Sequence, residues 1–154
     1  MTWLTNIVRD LTEPANTIRV LAAMHGDSDT RALTQIAGRA KWHVEFAFTH
    51  DSAVEMARHQ EFSAILYDRD LSLLQGWRDG FQTLAATAPA SCVILVSPDK
   101  DDQLWQEVIQ CGGYDVLTKP FQEEKVVRSV RAACLMKSRL CAPRTGSTPE
   151  FPSD

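Results

Sequence analysis

The sequence predicts an α/β fold in which helices cover both faces of a parallel sheet. Short apolar segments alternate along the chain with longer segments whose apolar residues recur at helical spacing. Two of the short segments, residues 64–67 and 92–96, are apolar at consecutive positions, which is typical of strands buried on both faces. Alternation of strand and helix favours right-handed crossovers between parallel neighbours.

Five strands are expected, each followed by a helix. The strands are predicted over residues 18–24, 44–48, 64–67, 92–96 and 114–118. The first helix should follow the loop at 25–29, and the second should be capped by Asp51 or Ser52. The third is expected over about 77–87, where Pro89 breaks it, and the fourth starts at Asp99 or Asp101 and ends at Gly112. The fifth runs from 122 to about 139.

The domain itself is assigned to residues 18–138, with a different segment on each side. Residues 1–17 form an extension whose apolar positions at 3, 4, 7, 8 and 11 predict a short amphipathic helix. That helix packs on its own domain or binds a partner, and the sequence leaves both open. Residues 139–154 are rich in Pro, Ser, Thr and Gly without periodicity, which predicts a disordered tail.

Composition narrows the classes of function. A net charge of −4 and a pI near 5.5 argue against nucleic-acid binding through a basic surface. No apolar run approaches the ~18 residues that span a bilayer, and the first residues lack a signal peptide's apolar core. The four cysteines show no metal-binding spacing. We therefore expect a cytoplasmic protein with reduced thiols and neither a membrane nor a nucleic-acid partner.

Three predicted strands end in side chains suited to phosphoryl chemistry. Asp68 ends the third strand, Ser97 ends the fourth and Lys119 follows the fifth. Because carboxyl ends of parallel strands share one edge, we expect these side chains to converge. A carboxylate oxygen can attack phosphorus, a hydroxyl can donate to a phosphoryl oxygen, and an ammonium can offset its charge.

These residues lie in motifs that resemble the receiver domain of two-component response regulators. Asp68 with Gly76 resembles the phospho-acceptor strand and its loop, and residues 93–97 resemble the strand that ends in a switch hydroxyl. Residues 112–121, with Lys119 followed by Pro120, resemble the last strand and its Lys-Pro pair. The resemblance covers about residues 18–138.

The resemblance implies a doubly wound, flavodoxin-like fold and a signalling module rather than an enzyme. It implies that Asp68 is the phospho-acceptor, that Ser97 and Lys119 contact the phosphoryl group, and that Asp70 and Gly76 belong to the loop beside it. It also implies a cis peptide before Pro120. Partners would be a histidine kinase, an effector or a second copy, bound at the face of the fourth helix, last strand and last helix.

The pattern breaks where receivers carry two adjacent acids that hold Mg²⁺. The matching positions are Met24 and His25, or His25 and Gly26 in the other register. Mg²⁺ prefers hard oxygen ligands, which neither thioether nor imidazole supplies. Asp27 or Asp29 could contribute beside Asp68, but capping of the first helix is the favoured interpretation of both. A Mg²⁺ site is therefore only weakly expected.

Two further positions depart from the receiver pattern, and the histidines and Trp105 are assigned predicted environments. Val116 stands where the family has a switch aromatic, and Ser72 replaces a common Pro in the loop after the acceptor. His25 is either an ordinary loop residue, which is favoured, or a transition-metal ligand or pH-responsive group. Trp105 is expected to pack within the domain. The remaining histidines are predicted at the surface: His43, His50 and His59.

Three hypotheses follow, in order of preference. The first is a stand-alone, atypical receiver, or pseudo-receiver, that works through protein–protein contact with impaired Mg²⁺-dependent phosphorylation. The second is a conventional response regulator phosphorylated on Asp68. The third is a flavodoxin-like flavin or nucleotide binder, which is disfavoured because Gly26 alone makes no phosphate-binding loop.

Overall fold

Strands and helices alternate as predicted in a computed structural model that describes residues 18–71 and 76–140, with side chains described to residue 136. The predicted helix at 3–11 lies outside the described residues, as does the predicted tail beyond Leu140. The ten elements are β1 (Arg19–Ala23), α1 (Asp27–Ala40), β2 (His43–Ala47), α2 (His50–His59), β3 (Ala64–Asp68), α3 (Trp77–Thr87), β4 (Cys92–Ser97), α4 (Asp102–Gln110), β5 (Asp115–Thr118) and α5 (Glu123–Leu140).

The five strands form one parallel sheet in the order β2-β1-β3-β4-β5. The register pairs Asp68 with Val96 and Ser97 with Thr118. The carboxyl ends of β3, β4 and β5 therefore meet at one edge of the sheet. The predicted α/β class and the predicted convergence of these strand ends are confirmed.

Two apolar layers cover the sheet because alternate strand residues point to opposite faces. Ile65 and Tyr67 of β3 pack in the layer formed with α2, α3 and α4. Ala64 and Leu66 pack in the layer formed with α1 and α5. All five residues of β3 are buried, and each large apolar side chain so buried contributes about 1.5–3 kcal/mol. This central strand holds Asp68 on a rigid support.

The helix starts refine two predictions. Thr49 caps α2 by accepting a hydrogen bond from the Ser52 backbone N–H at 3.1 Å, so the predicted cap at Asp51 or Ser52 was wrong. Asp101, one of the two predicted residues, caps α4 through the Leu104 N–H at 2.8 Å. A side-chain oxygen satisfies a free backbone donor in both cases.

The apolar face of α4 is narrower than predicted. Leu104 and Val108 are buried against the sheet, whereas Trp105 is 43 % and Ile109 41 % exposed. Successive helical residues are rotated by about 100°, so the row at 104 and 108 faces the core and the next row turns outward. The prediction that Trp105 packs inside the domain was wrong, and this row remains an exposed apolar surface.

His50 is half-buried rather than a surface residue. Its Nδ1 lies 3.1 Å from the hydroxyl of Tyr67, a side chain with no exposed surface, and the two rings meet edge to face. A Cβ atom at Gly80 would overlap that hydroxyl, so glycine is needed where α3 crosses Tyr67. His43 and His59 are exposed, as predicted.

Cys92, Cys111 and Cys134 are free thiols. Burial raises the pKa of Cys92, and burial is also the main cause of the raised pKa of Cys111. The thiols of Cys92 and Cys111 therefore stay protonated at neutral pH, which makes them poor nucleophiles.

No helix within the described part of the chain is long and apolar enough to cross a membrane.

Candidate functional site

Asp68 lies at the end of β3 and is only 3 % exposed. Its Oδ1 accepts a hydrogen bond from the Asp70 backbone N–H at 2.9 Å. Its Oδ2 accepts one from Lys119 Nζ at 3.0 Å. Both carboxylate oxygens are therefore engaged, one by the backbone of the following loop and one by an ammonium group.

Lys119 follows β5 and is shared between two carboxylates. Its Nζ donates to Asp29 Oδ2 and to Asp68 Oδ2, each at 3.0 Å. Burial by itself would lower the pKa of Lys119, but the hydrogen bonds and charges of the two carboxylates outweigh it, so the pKa is raised. The ammonium therefore stays charged at neutral pH. The Lys119–Pro120 peptide is cis, as the resemblance implied.

Asp29 reaches the site from the first turn of α1. Gly26 is the N-cap of that helix and no side chain caps it, so the favoured capping role of Asp27 or Asp29 is not what their side chains do. The Asp29 carboxylate bonds to Lys119 instead. Asp27 is exposed and lines a groove beside Phe48. The structure thus joins Asp29, rather than Asp27, to Asp68.

Ser97 lies at the same sheet edge and has no exposed surface. Its Oγ accepts hydrogen bonds from Arg69 Nη1 at 3.3 Å and from the Asp99 backbone N–H at 3.2 Å. Arg69 is a site residue that the sequence analysis missed. Its position between two acids at the end of a buried strand was the available signal, but that position does not say where the guanidinium points.

Asp70 and Gly76 flank the loop beside Asp68. Asp70 is exposed and contributes its backbone N–H to Asp68. Gly76 is the N-cap of α3 with a φ of +78°, a conformation that disfavours any residue with a Cβ. Residues 72–75, which include Ser72, lie outside the described residues.

The positions of the missing acid pair offer no magnesium ligand. Met24 is fully buried in the apolar layer beside α1, and His25 is exposed. Mg²⁺ needs several oxygen ligands in octahedral geometry. The nearby carboxylates, Asp29 and Asp68, are both paired with Lys119, and the described residues hold no group of three or more metal-binding side chains. The donor set present does not fit Mg²⁺.

Comparison with known protein families shows which family this chain belongs to. The family model for the response regulator receiver domain matches residues 26–131, which is more than half of the chain. The chain belongs to the response regulator receiver family. A receiver domain is a module of two-component signalling, and this assignment favours signalling over the flavin or nucleotide binder.

Solved receiver structures share the fold over nearly their whole length. The chemotaxis response regulator CheY4 of Vibrio cholerae is 18% identical, with a TM-score of 0.68 over 77% of this chain and 99% of that one. The receiver of the Pseudomonas aeruginosa sensor kinase PA1611, described with a magnesium ion in its active-site cleft, is 18% identical, with a TM-score of 0.67 over 77% and 98%.

The beryllofluoride-activated NtrC4 receiver, described as a dimer, is 23% identical, with a TM-score of 0.70 over 78% of this chain and 98% of that one. At these identities the three structures show a common fold. The comparison with curated proteins gives no match.

Proposed function

We propose that this receiver is an atypical one that signals through protein–protein contact, with Asp68 at the phospho-acceptor position and with impaired Mg²⁺-dependent phosphorylation. The observation that carries the proposal is the pairing of Asp68 and Asp29 with one lysine, in a chain that has Met24 and His25 where the acid pair is expected. The domain, in this proposal, is residues 18–138.

The charge of the pocket supports impaired phosphorylation. Asp29, Asp68 and Lys119 together carry one excess negative charge before any phosphoryl group arrives, while Arg69, a second cation of the site, donates to Ser97. A phosphoryl group adds more negative charge, and phosphoryl transfer relies on positioned cations to offset it. The PA1611 receiver is described with a magnesium ion in its cleft. In this chain Lys119 is the cation that contacts the acceptor carboxylate.

A partner surface is supported by apolar side chains on the last two helices. Trp105 and Ile109 are exposed on α4, and Leu135 and Met136 are exposed near the end of α5. Trp105 and Ile109 are four residues apart, so they are neighbours on one face of α4, and adjoining exposed apolar side chains are typical of interaction sites. We assign the face of α4, β5 and α5 to a kinase, an effector or a second copy of this chain, and the dimeric NtrC4 receiver agrees with the last of these.

A phosphodonor experiment tests the state of Asp68. Wild type and Asp68→Asn are incubated with a small phosphodonor and Mg²⁺, and intact mass is measured. Little or no phosphoryl adduct is expected on wild type. An adduct that forms with Mg²⁺ and is absent from Asp68→Asn would instead establish the conventional response regulator. Asp70→Asn is the matched control because Asp70 is a neighbouring acid whose side chain is exposed.

Light scattering tests the second copy as occupant of the proposed face. Trp105→Ala should shift a concentration-dependent dimer toward monomer, because an exposed aromatic at the centre of an interface carries much of its energy. Phe48→Ala is the control, since Phe48 is 59 % exposed on the far side of the sheet. A wild type that stays monomeric at all concentrations would exclude a second copy and leave a partner protein.

A further inference from the structure

The pocket contains two carboxylates from different elements of the fold, both hydrogen-bonded to one nitrogen. Asp29 and Asp68 belong to α1 and β3, and each places its Oδ2 3.0 Å from Lys119 Nζ. The side chains of Lys119 and Asp29 are each 18% exposed, and that of Asp68 is 4% exposed. The ammonium therefore occupies the space between two acidic groups that are largely removed from solvent.

We propose that Lys119 is the resident cation of this pocket, that Asp29 holds it there, and that the two carboxylates are closed to divalent cations while Lys119 is in place. This inference rests on the proposed function and deepens it, because it names what occupies the position of the ion. Asp29 is a positioning residue in this arrangement, since it acts on Asp68 through Lys119.

Competition between lysine and ion favours the lysine. The ammonium is tethered to β5 and already donates to both carboxylates, so an entering ion would have to break two charge-assisted hydrogen bonds. Mg²⁺ dehydrates reluctantly and needs near-octahedral oxygen coordination. Met24 is buried in the core and its side chain brings no oxygen, so this position gives the ion no compensating ligand.

Removal of the lysine should open the site. The two carboxylate oxygens each lie 3.0 Å from one nitrogen, and a small movement toward each other would let a single cation bind both, because Mg²⁺–oxygen distances are shorter, at about 2.0–2.1 Å. Without the ammonium their mutual repulsion favours any cation that can enter. Loss of Lys119 is therefore expected to create a divalent-cation site that wild type lacks, and this site should depend on Asp29.

The test measures Mg²⁺ and Mn²⁺ binding to four forms of the full chain by calorimetry and Mn²⁺-induced NMR line broadening. Wild type should show no saturable binding at millimolar ion. Lys119→Met should gain saturable binding with broadening centred on the two carboxylates. Lys119→Met combined with Asp29→Asn should bind at least about 10-fold more weakly. Lys125→Met is the matched control, because Lys125 is exposed on α5, and should behave as wild type.

Folding of the lysine variant is followed by circular dichroism, with Lys119→Gln as a second variant that keeps a hydrogen-bond donor. If either variant is partly unfolded, Mg²⁺ should increase its folded fraction, because an ion that binds only the folded state stabilises that state. Saturable binding by wild type would overturn the inference. So would the absence of an ion response in both lysine variants, whether they are folded or not.

The outcome is separable from that of the phosphodonor experiment. An adduct on Asp68 that forms equally well without Mg²⁺ would contradict impaired phosphorylation and leave Lys119 as the resident cation. Millimolar Mg²⁺ binding by wild type without any adduct would contradict the resident cation and leave the proposed function in place.

Discussion

Two ion clusters tie this sheet together, and they differ in charge balance. Near the start of β1, Arg19 Nη2 donates to Glu45 at 3.0 Å and to the amide oxygen of Gln60 at 2.6 Å. At the opposite edge, Lys119 donates to two carboxylates at 3.0 Å each. One cation thus meets one anion and a neutral group in the first cluster, whereas one cation meets two anions in the second.

This difference in charge is what we expect between a cluster that only stabilises the fold and one that belongs to the proposed site. The first is balanced, and its side chains are open to water, with 39% of Arg19 and 27% of Glu45 exposed. The second cluster has two carboxylates for one ammonium, and the side chain of Asp68 is only 4% exposed. A negative charge that is buried and not fully compensated lowers the stability of the fold. Groups held in a costly electrostatic state concentrate at functional sites. The excess charge therefore supports the proposal that the functional site lies at the carboxyl edge of the sheet.

The two clusters should differ most in how much the free energy of unfolding falls when the cation of each is removed. Lys119→Met leaves two carboxylates unpaired, one of them buried, and should lower the free energy of unfolding by about 3 kcal/mol. Arg19→Met breaks an exposed pair whose carboxylate can hydrate, and should lower it by about 1 kcal/mol or less. Urea denaturation with a chelator present measures both. Equal losses would break the distinction between the two clusters.

Neutralisation of one acid in each cluster should give a smaller difference in the free energy of unfolding. Asp68→Asn removes the excess charge, keeps an oxygen for the Asp70 N–H and leaves Lys119 balanced by Asp29. Stability should be unchanged or raised, by up to about 1 kcal/mol. Glu45→Gln removes the one carboxylate that Arg19 contacts and should lower stability by up to about 1 kcal/mol. A clear loss of stability in Asp68→Asn would mean that the charge of Asp68 is fully compensated in wild type.

The smallest contrast is in pH dependence, where the clusters should weaken at opposite ends of the scale. The pKa of Lys119 is raised, so its contribution is complete below the ordinary lysine pKa and is lost as pH rises through the raised value. Burial would raise the pKa of Glu45, but hydrogen bonds, chiefly from His43 and Arg19, lower it overall. Its contribution is complete above the ordinary carboxyl pKa and is lost as pH falls through the lowered value.

Urea midpoints measured across pH check these signs against the two variants that remove the groups. The difference between wild type and Lys119→Met should shrink at alkaline pH, where the ammonium charge is lost. The difference between wild type and Glu45→Gln should shrink at acid pH and not at alkaline pH. A Lys119 difference that shrank on acidification alone would show that protonation of the carboxylates controls that cluster.

The sequence could predict the fold and the edge where the site lies. Alternation of apolar strands with helical spacing determines the parallel sheet, and a parallel sheet brings Asp68, Ser97 and Lys119 to one edge whatever their separation along the chain. The sequence could not predict the contact of Asp29 with Lys119. That contact joins residues 90 positions apart and depends on the side-chain rotamers of a helical first turn.

The direction of side chains also explains where other predictions differ from the structure. Whether Trp105 or Leu104 faces the core depends on a rotation of α4 that apolar spacing leaves open when both rows are apolar. The sequence also could not predict the partners of the Ser97 hydroxyl, whose hydrogen bonds join Arg69 and the backbone of Asp99. Such partners are set by packing around the pocket rather than by position in a strand.

A crystal structure of wild type grown with millimolar Mn²⁺ tests the resident cation most directly, because the anomalous signal locates the ion independently of any activity. We expect no anomalous peak between Asp29 and Asp68, and Lys119 Nζ within hydrogen-bond distance of both carboxylates. A peak between the two carboxylates, with Lys119 displaced, would contradict the assignment of Lys119 as the resident cation.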